Sequence, residues 1–211
     1  METDIETSGA RRPGPIYLVR HGQTAWNREG RFQGQGDAPL TDLGIEQARS
    51  VGRRLRRELG DIATTPFVSS PLGRCRHTAR LICEAAGWVD TAPMFDDRLK
   101  EIHFGRWEGM TVAEIEARDA DEWAARSADK WHHPAPGGES YEDVSLRIAQ
   151  WLTERPASTP TLAVCHGATG AVLRGLYLNL PPDEILVLDK PQGVVTLLSD
   201  GTETVLPGDP C

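Results

Sequence analysis

The chain alternates between short, uniformly apolar runs and longer stretches whose apolar residues recur every three or four positions. Ile16-Tyr17-Leu18-Val19 and Thr161-Leu162-Ala163-Val164-Cys165 are the clearest examples of the first kind. Unbroken apolar runs of that length, carrying β-branched residues, predict strands buried on both faces. Thr64 to Ser69 reads as a further short strand. In the second kind, Ile45, Ala48, Leu55 and Leu59, with Gly52 on the same stripe, predict a helix capped by Thr41. The arginines at 49, 53, 54, 56 and 57 fall largely off that stripe and read as a solvated face. Cys75, Ala79, Ile82 and Ala86 predict another helix, entered through Ser70-Pro71-Leu72 and stopped at Gly87. Thr111 with Glu114 forms a capping box, and Ser140 with Asp143 opens the stripe Val144, Ile148, Trp151 and Leu152. A short helix is expected near Ala171 to Leu178. Val194 to Leu198 and Thr202 to Leu206 flank Asp200-Gly201, a strong hairpin signal. Strands alternating with helices predict an α/β fold: three layers, with a mainly parallel central sheet, helices on both faces and a C-terminal antiparallel hairpin.

Two segments lack a period. Gly22 to Pro39 is a glycine-rich loop, and long ordered loops tend to carry function. Asp119 to Gly138 is irregular and holds Trp123, Trp131, His132 and His133 ahead of Pro134, Pro136 and Gly137-Gly138. Residues 1–14 are polar and read as a disordered tail, leaving residues 15–211 as a single domain of a size one core can fill.

Composition narrows the partners. A net charge of −8 opposes a broad nucleic-acid or anionic-membrane surface. A few arginines gathered in one cleft can still hold a small anion. No apolar run approaches the roughly 20 residues of a membrane span, and the N-terminal residues lack the apolar stretch of a secretory signal. Cysteines at 75, 83, 165 and 211 suggest neither a disulfide framework nor a zinc site, so a reducing cytoplasm is the expected setting.

The candidate chemistry sits where the strands end. The first runs into Arg20-His21-Gly22 and the later one into His166-Gly167. In open α/β sheets, ligands bind at the carboxyl ends of the strands. Arg74 lies in the first turn of a helix that follows another strand. Two imidazoles, two guanidinium groups and a loop carboxylic acid fit phosphoryl transfer through a phosphohistidine. A neutral imidazole is a competent nucleophile, and forked cations suit the equatorial oxygens of the transferring group. The N-terminus of the Arg74 helix would add backbone N–H groups, and His166, if protonated, a further charged donor. The leaving alkoxide needs an acid. Taken singly, each of these residues has a structural reading as well, and Glu101 and Glu108 are equivalent candidates for the acid. His77, His103, His132 and His133 show no metal-ligand spacing.

Together the motifs resemble the histidine phosphatase superfamily, in its phosphoglycerate-mutase-like branch. The matching segments include Arg20-His21-Gly22-Gln23-Thr24-Ala25-Trp26-Asn27, Arg31-Phe32-Gln33-Gly34, Ser69-Ser70-Pro71-Leu72-Gly73-Arg74, Leu99-Lys100-Glu101-Ile102, Phe104-Gly105 with Trp107-Glu108-Gly109, Pro136-Gly137-Gly138-Glu139-Ser140, and Val164-Cys165-His166-Gly167. The resemblance implies that His21 is the phosphorylated nucleophile and that Arg20, Arg74 and His166 form the phosphate pocket. It implies Glu101 as the proton donor. It also implies that Asn27, Gln33, Gly34 and Gly167 line the phosphate or substrate pocket, with no metal and no cofactor. Cys165 departs from the serine of many members and could alter thiol sensitivity. The expected activity is hydrolysis of a small phosphorylated metabolite. The alternatives are a phosphoglycerate-type mutase and a non-catalytic phospholigand-binding module. The segment from Glu101 to His166 is compact, like that of the phosphatases, where the mutases resemble a longer version.

Overall fold

A computed structural model of the chain describes residues 13–209. Most of the expected tail, residues 1–12, lies outside the described residues, as does Cys211. Pro13 and Gly14, expected in the tail, pack on the domain: the Pro13 carbonyl accepts from the Tyr177 hydroxyl at 3.4 Å, and the Gly14 N–H donates to the Pro156 carbonyl at 2.9 Å.

The first strand, β1 (Ile16–Arg20), is followed by a single helical turn, α1 (Ala25–Arg28), and the long helix α2 (Asp42–Leu59). Then come β2 (Phe67–Ser69), α3 (Gly73–Ala86) and the two-residue edge strand β3 (Met94–Phe95). Helices α4 (Val112–Arg118), α5 (Ala120–Ala128) and α6 (Tyr141–Thr153) precede β4 (Thr161–Cys165), α7 (Gly167–Leu178) and α8 (Pro182–Val187). The hairpin β5 (Val194–Ser199) and β6 (Thr202–Pro207) closes the described chain. The sheet order is β3-β2-β4-β1-β5-β6. The first four strands are parallel, and β5 runs antiparallel to β1 and to β6. None of the described helices is long and apolar enough to cross a membrane.

Successive strand residues face opposite sides, and the cores divide accordingly. Ile16, Leu18, Ala163 and Cys165 pack against α6, α7 and α8 through Val144, Ile148, Trp151, Val172, Leu173 and Ile185. Val19, Leu162 and Val164 pack against α2 and α3 through Val51, Leu55, Cys75, Ala79 and Ile82. Both faces are covered, which is why the strands read as apolar runs without alternation. The register pairs Arg20 with Cys165, so the two His-Gly corners leave the sheet side by side.

The predicted caps form. Thr41 accepts the Gly44 N–H, Thr111 and Ser140 each complete a capping box, and Gly87 ends α3 in the left-handed region. Asp200 and Gly201 both have positive φ, as the hairpin turn requires. Two expectations shift. The irregular Asp119–Gly138 stretch contains α5, whose Trp123 packs on a small cluster of Trp107, Ile115 and Ala135. Helix α7 begins at Gly167 rather than near Ala171, with the Ala168 and Thr169 N–H groups of its first turn bound by the Glu101 carboxylate.

Candidate active site

The site is built on the turn after β1. The N–H of His21 donates to the Cys165 carbonyl at 3.0 Å, continuing the β1–β4 ladder by one residue. Gly22 then meets the start of α2 backbone to backbone. A Cβ on Gly22 would lie 2.2 Å from the Gly44 carbonyl oxygen, and one on Gly44 would lie 2.1 Å from that of Gln23. The Thr78 hydroxyl accepts the Gly22 N–H at 3.1 Å. His21 therefore leaves a rigid corner, 2 % exposed.

The imidazole is oriented by both nitrogens. Nδ1 lies 2.8 Å from the Gly22 carbonyl, which assigns the ring proton to Nδ1. Nε2 then carries the lone pair, and it accepts from Arg74 Nε at 3.3 Å. The same Nε lies 3.2 Å from His166 Nδ1, so one guanidinium N–H is shared between two imidazoles whose centroids are 5.2 Å apart. His166 Nε2 meets the Ser70 hydroxyl at 2.7 Å. Burial first, and then Arg74, hold both imidazoles well below the ordinary histidine range. Both rings are neutral at neutral pH. His21 thereby has the form a nucleophile needs, and His166 is not the standing cation that its expected role would use.

Arg74 is fully buried at its side chain, held by backbone carbonyls and with Nη1 3.5 Å from Asp37 Oδ1. Nη1 donates to Gly36 at 2.7 Å and Nη2 to Gly34 at 2.6 Å. Its backbone N–H donates to Asp37 Oδ1 at 3.2 Å. Of the backbone N–H groups that the N-terminus of α3 was expected to offer a phosphate, that of Arg74 is taken by Asp37.

An open cavity of about 210 Å³ lies in front of His21, lined by Arg20, Asn27, Gln33, Gly34, Arg74, Glu101 and Phe104 among others. Of the predicted site residues, only His166 and Gly167 stand behind this lining. His166 reaches the site through Arg74. Gly167 lies against the Arg20 guanidinium, where a Cβ would sit 3.4 Å from Cζ. Among the described residues, two buried donors near His21 have no partner: Arg20 Nε and Gln33 Nε2. Arg20 Nη1 donates to the Lys190 carbonyl at 2.5 Å, and Gln33 Oε1 accepts from Thr24, so each side chain is fixed with a donor left over. Asn27 uses its carbonyl oxygen to accept from the Thr24 N–H at 3.1 Å and from Gln192 Nε2 at 3.3 Å.

The structure separates the two glutamates. Glu101 lines the cavity, and its carboxylate lies over the first turn of α7, accepting N–H groups from Ala168 at 3.1 Å and Thr169 at 3.0 Å. Glu108 does not reach the cavity lining and bonds to backbone instead. Sequence reasoning missed Gln192, whose Nε2 also donates to the His21 carbonyl at 2.9 Å, along with Ser70 and Thr169. Only Ser70, inside a quoted motif, had a local signal. The remaining histidines make loop and helix contacts, such as His132 with Asp129 at 2.9 Å. Cys165 is fully buried and its thiol is pushed up to about 12 by burial, which opposes the thiol sensitivity its position suggested.

The family model of the histidine phosphatase superfamily (branch 1) matches residues 16–204. The chain belongs to this superfamily. Among its relatives is a protein of Salmonella paratyphi C named "Probable phosphoglycerate mutase GpmB", 37% identical over 170 residues, which cover 79% of this chain and 75% of that protein. The structure of the alpha-ribazole phosphatase from Shigella flexneri superposes with a TM-score of 0.78 at 26% identity, covering 93% of this chain and 96% of that one. A mycobacterial glucosyl-3-phosphoglycerate phosphatase, solved with VO3, superposes with a TM-score of 0.73 at 30% identity, covering 93% of this chain and 100% of the other. Histidine phosphatase relatives thus include both phosphatases and mutase-like proteins.

Proposed function

We propose that the chain hydrolyses small phosphomonoesters through a phosphohistidine on His21. The observation that carries this reading is the neutral, buried His21 with Nε2 directed at Arg74, beside the unpartnered donors of Arg20 and Gln33. Substrate phosphate takes Nε2 as its nucleophile, with Arg20, Arg74 and Gln33 receiving the equatorial oxygens. The P–N bond forms as the ester P–O bond breaks, and Glu101 gives its proton to the leaving oxygen. Water then attacks phosphorus, Glu101 takes the water's proton, and the P–N electron pair returns to Nε2. An arriving phosphate dianion counters the positive field of Arg74 and Arg20 and shifts His166 toward its protonated form.

Hydrolysis is favoured over mutase chemistry by the outer part of the cavity. Beyond the phosphate end it is lined by Gly30, Arg31, Phe32 and Phe104. Arg31 is already bonded to Glu29 at 3.0 Å and to Glu114 and the Gly109 carbonyl at 2.8 Å. A retained bisphosphate would need a second set of uncommitted cations there. The likeness to GpmB favours the mutase reading, and one experiment separates the two. With an aryl phosphate in the presence of chelator, the wild type should release phosphate catalytically and His21→Ala should not. Activity seen only as isomerisation of a phosphoglycerate with bisphosphate primer would favour the mutase. Phosphate binding with neither activity would leave only a binding module.

A further inference from the structure

We propose that Glu108 is the positioning residue of the phosphate site, holding the 34–36 loop so that the loop's carbonyls aim Arg74 at His21. The proposal rests on the phosphatase reading for the use of Arg74, but its geometry is independent of it. The Glu108 carboxylate accepts three backbone N–H groups: Oε1 from Gln35 at 2.8 Å and Phe104 at 3.2 Å, and Oε2 from Gly36 at 2.9 Å. Gly34 admits this approach, since a Cβ there would lie 2.1 Å from Oε1 and its φ is +53°.

The N–H of Gln35 and the C=O of Gly34 belong to one planar peptide group. Its N–H end meets the Glu108 carboxylate and its carbonyl end meets Arg74 Nη2 at 2.6 Å. The carboxylate, peptide dipole and guanidinium form a chain in which each bond polarises the next. The second arm runs alongside: Glu108 Oε2 holds the N–H of Gly36, and the Gly36 carbonyl accepts Arg74 Nη1 at 2.7 Å. Asp37 Oδ1 already stands 3.5 Å from Nη1, and a glutamate bonded directly to Arg74 would add a second anion and occupy the guanidinium. Acting through the loop, Glu108 fixes the fork by its two Nη atoms and leaves Nε to the imidazoles. The bond to Phe104 N–H ties the same carboxylate to the segment that carries Glu101.

Glutamine at 108 presents an N–H₂ toward backbone N–H groups that need acceptors, so at least one arm is lost. The test compares Glu108→Gln and Glu108→Asp in the wild type and in Arg74→Lys, well below each variant's Tm. The readouts are kcat/KM on an aryl phosphate and the inorganic phosphate affinity from phosphate-dependent Tm shifts. In the wild-type background Glu108→Gln should lower both by about 10- to 100-fold, the worth of hydrogen bonds to charged groups, and Glu108→Asp by less. In Arg74→Lys, which lacks the fork, the same change should cost under about 3-fold, because coupled groups do not add. Equal cost in both backgrounds, or affinities within about 2-fold of wild type, would overturn the proposal, since a merely structural glutamate acts additively. The phosphate affinity needs no turnover. An inactive wild type whose phosphate affinity still follows this pattern would therefore count against the phosphatase reading alone.

Discussion

Acidification probes the two buried imidazoles directly. In the unfolded chain each histidine takes up a proton near pH 6.5, whereas in the folded protein burial, Arg74 and Arg20 keep His21 and His166 neutral to well below that value. Between those limits the unfolded state binds more protons, so stability rises with pH up to about 6.5 and is flat above it. At about pH 5.5 each ring costs between about 1 and 2 kcal/mol and the pair roughly 3, with almost no cost at about pH 7.5. For a chain of this size that loss corresponds to a Tm lowered by roughly 6–11 °C. Carboxylates titrate mostly below this window, and His77, lowered by burial and Arg80, is common to every variant. Thermal and urea unfolding of the wild type, His21→Gln, His166→Gln and the double variant should therefore show the pH-dependent loss fall by about half in each single variant. It should largely vanish in the double variant. An equal loss in the double variant and the wild type would refute the assignment of neutral buried rings.

Other outcomes follow from the same geometry. Glu101→Gln should slow hydrolysis of alkyl phosphates by about 100-fold or more and that of aryl phosphates far less, because a good leaving group needs little protonation; equal slowing on both would remove the proton-donor role. Iodoacetamide at neutral pH should leave activity intact, since Cys75 and Cys165 are fully buried with raised thiols; rapid loss of activity would contradict that burial. Gly44→Ala should cut kcat and destabilise the fold by about 1–3 kcal/mol, because its methyl group would meet the Gln23 carbonyl and push the His21 corner off the sheet. Wild-type kcat and Tm in that variant would show that the corner is not rigid.

The strands, the capped helices and the hairpin were legible because each rests on local patterns: apolar runs, capping residues and the Asp200-Gly201 turn. The pairing of the two His-Gly corners was legible only as a possibility. It needed the parallel β1–β4 register, a contact between residues more than a hundred positions apart. Gln192 left no periodic or motif signal; it reaches the His21 carbonyl from the far end of the chain. The tie between Glu101 and Glu108 had the same origin. Both are loop glutamates in one short stretch, and composition cannot say which faces a cavity and which faces a loop.

Local patterns along the chain suffice for the alternation of elements, the two-sided burial of the central strands and the set of residue types that phosphoryl transfer requires. Tertiary structure alone decided the protonation state of those residues and their aim. Burying His21 and His166 around one guanidinium leaves both neutral, and the fork of Arg74 takes its direction from loop carbonyls 38 and 40 positions away. Charge state and orientation depend on what surrounds a side chain in space, and in this protein those surroundings come from segments distant in the chain.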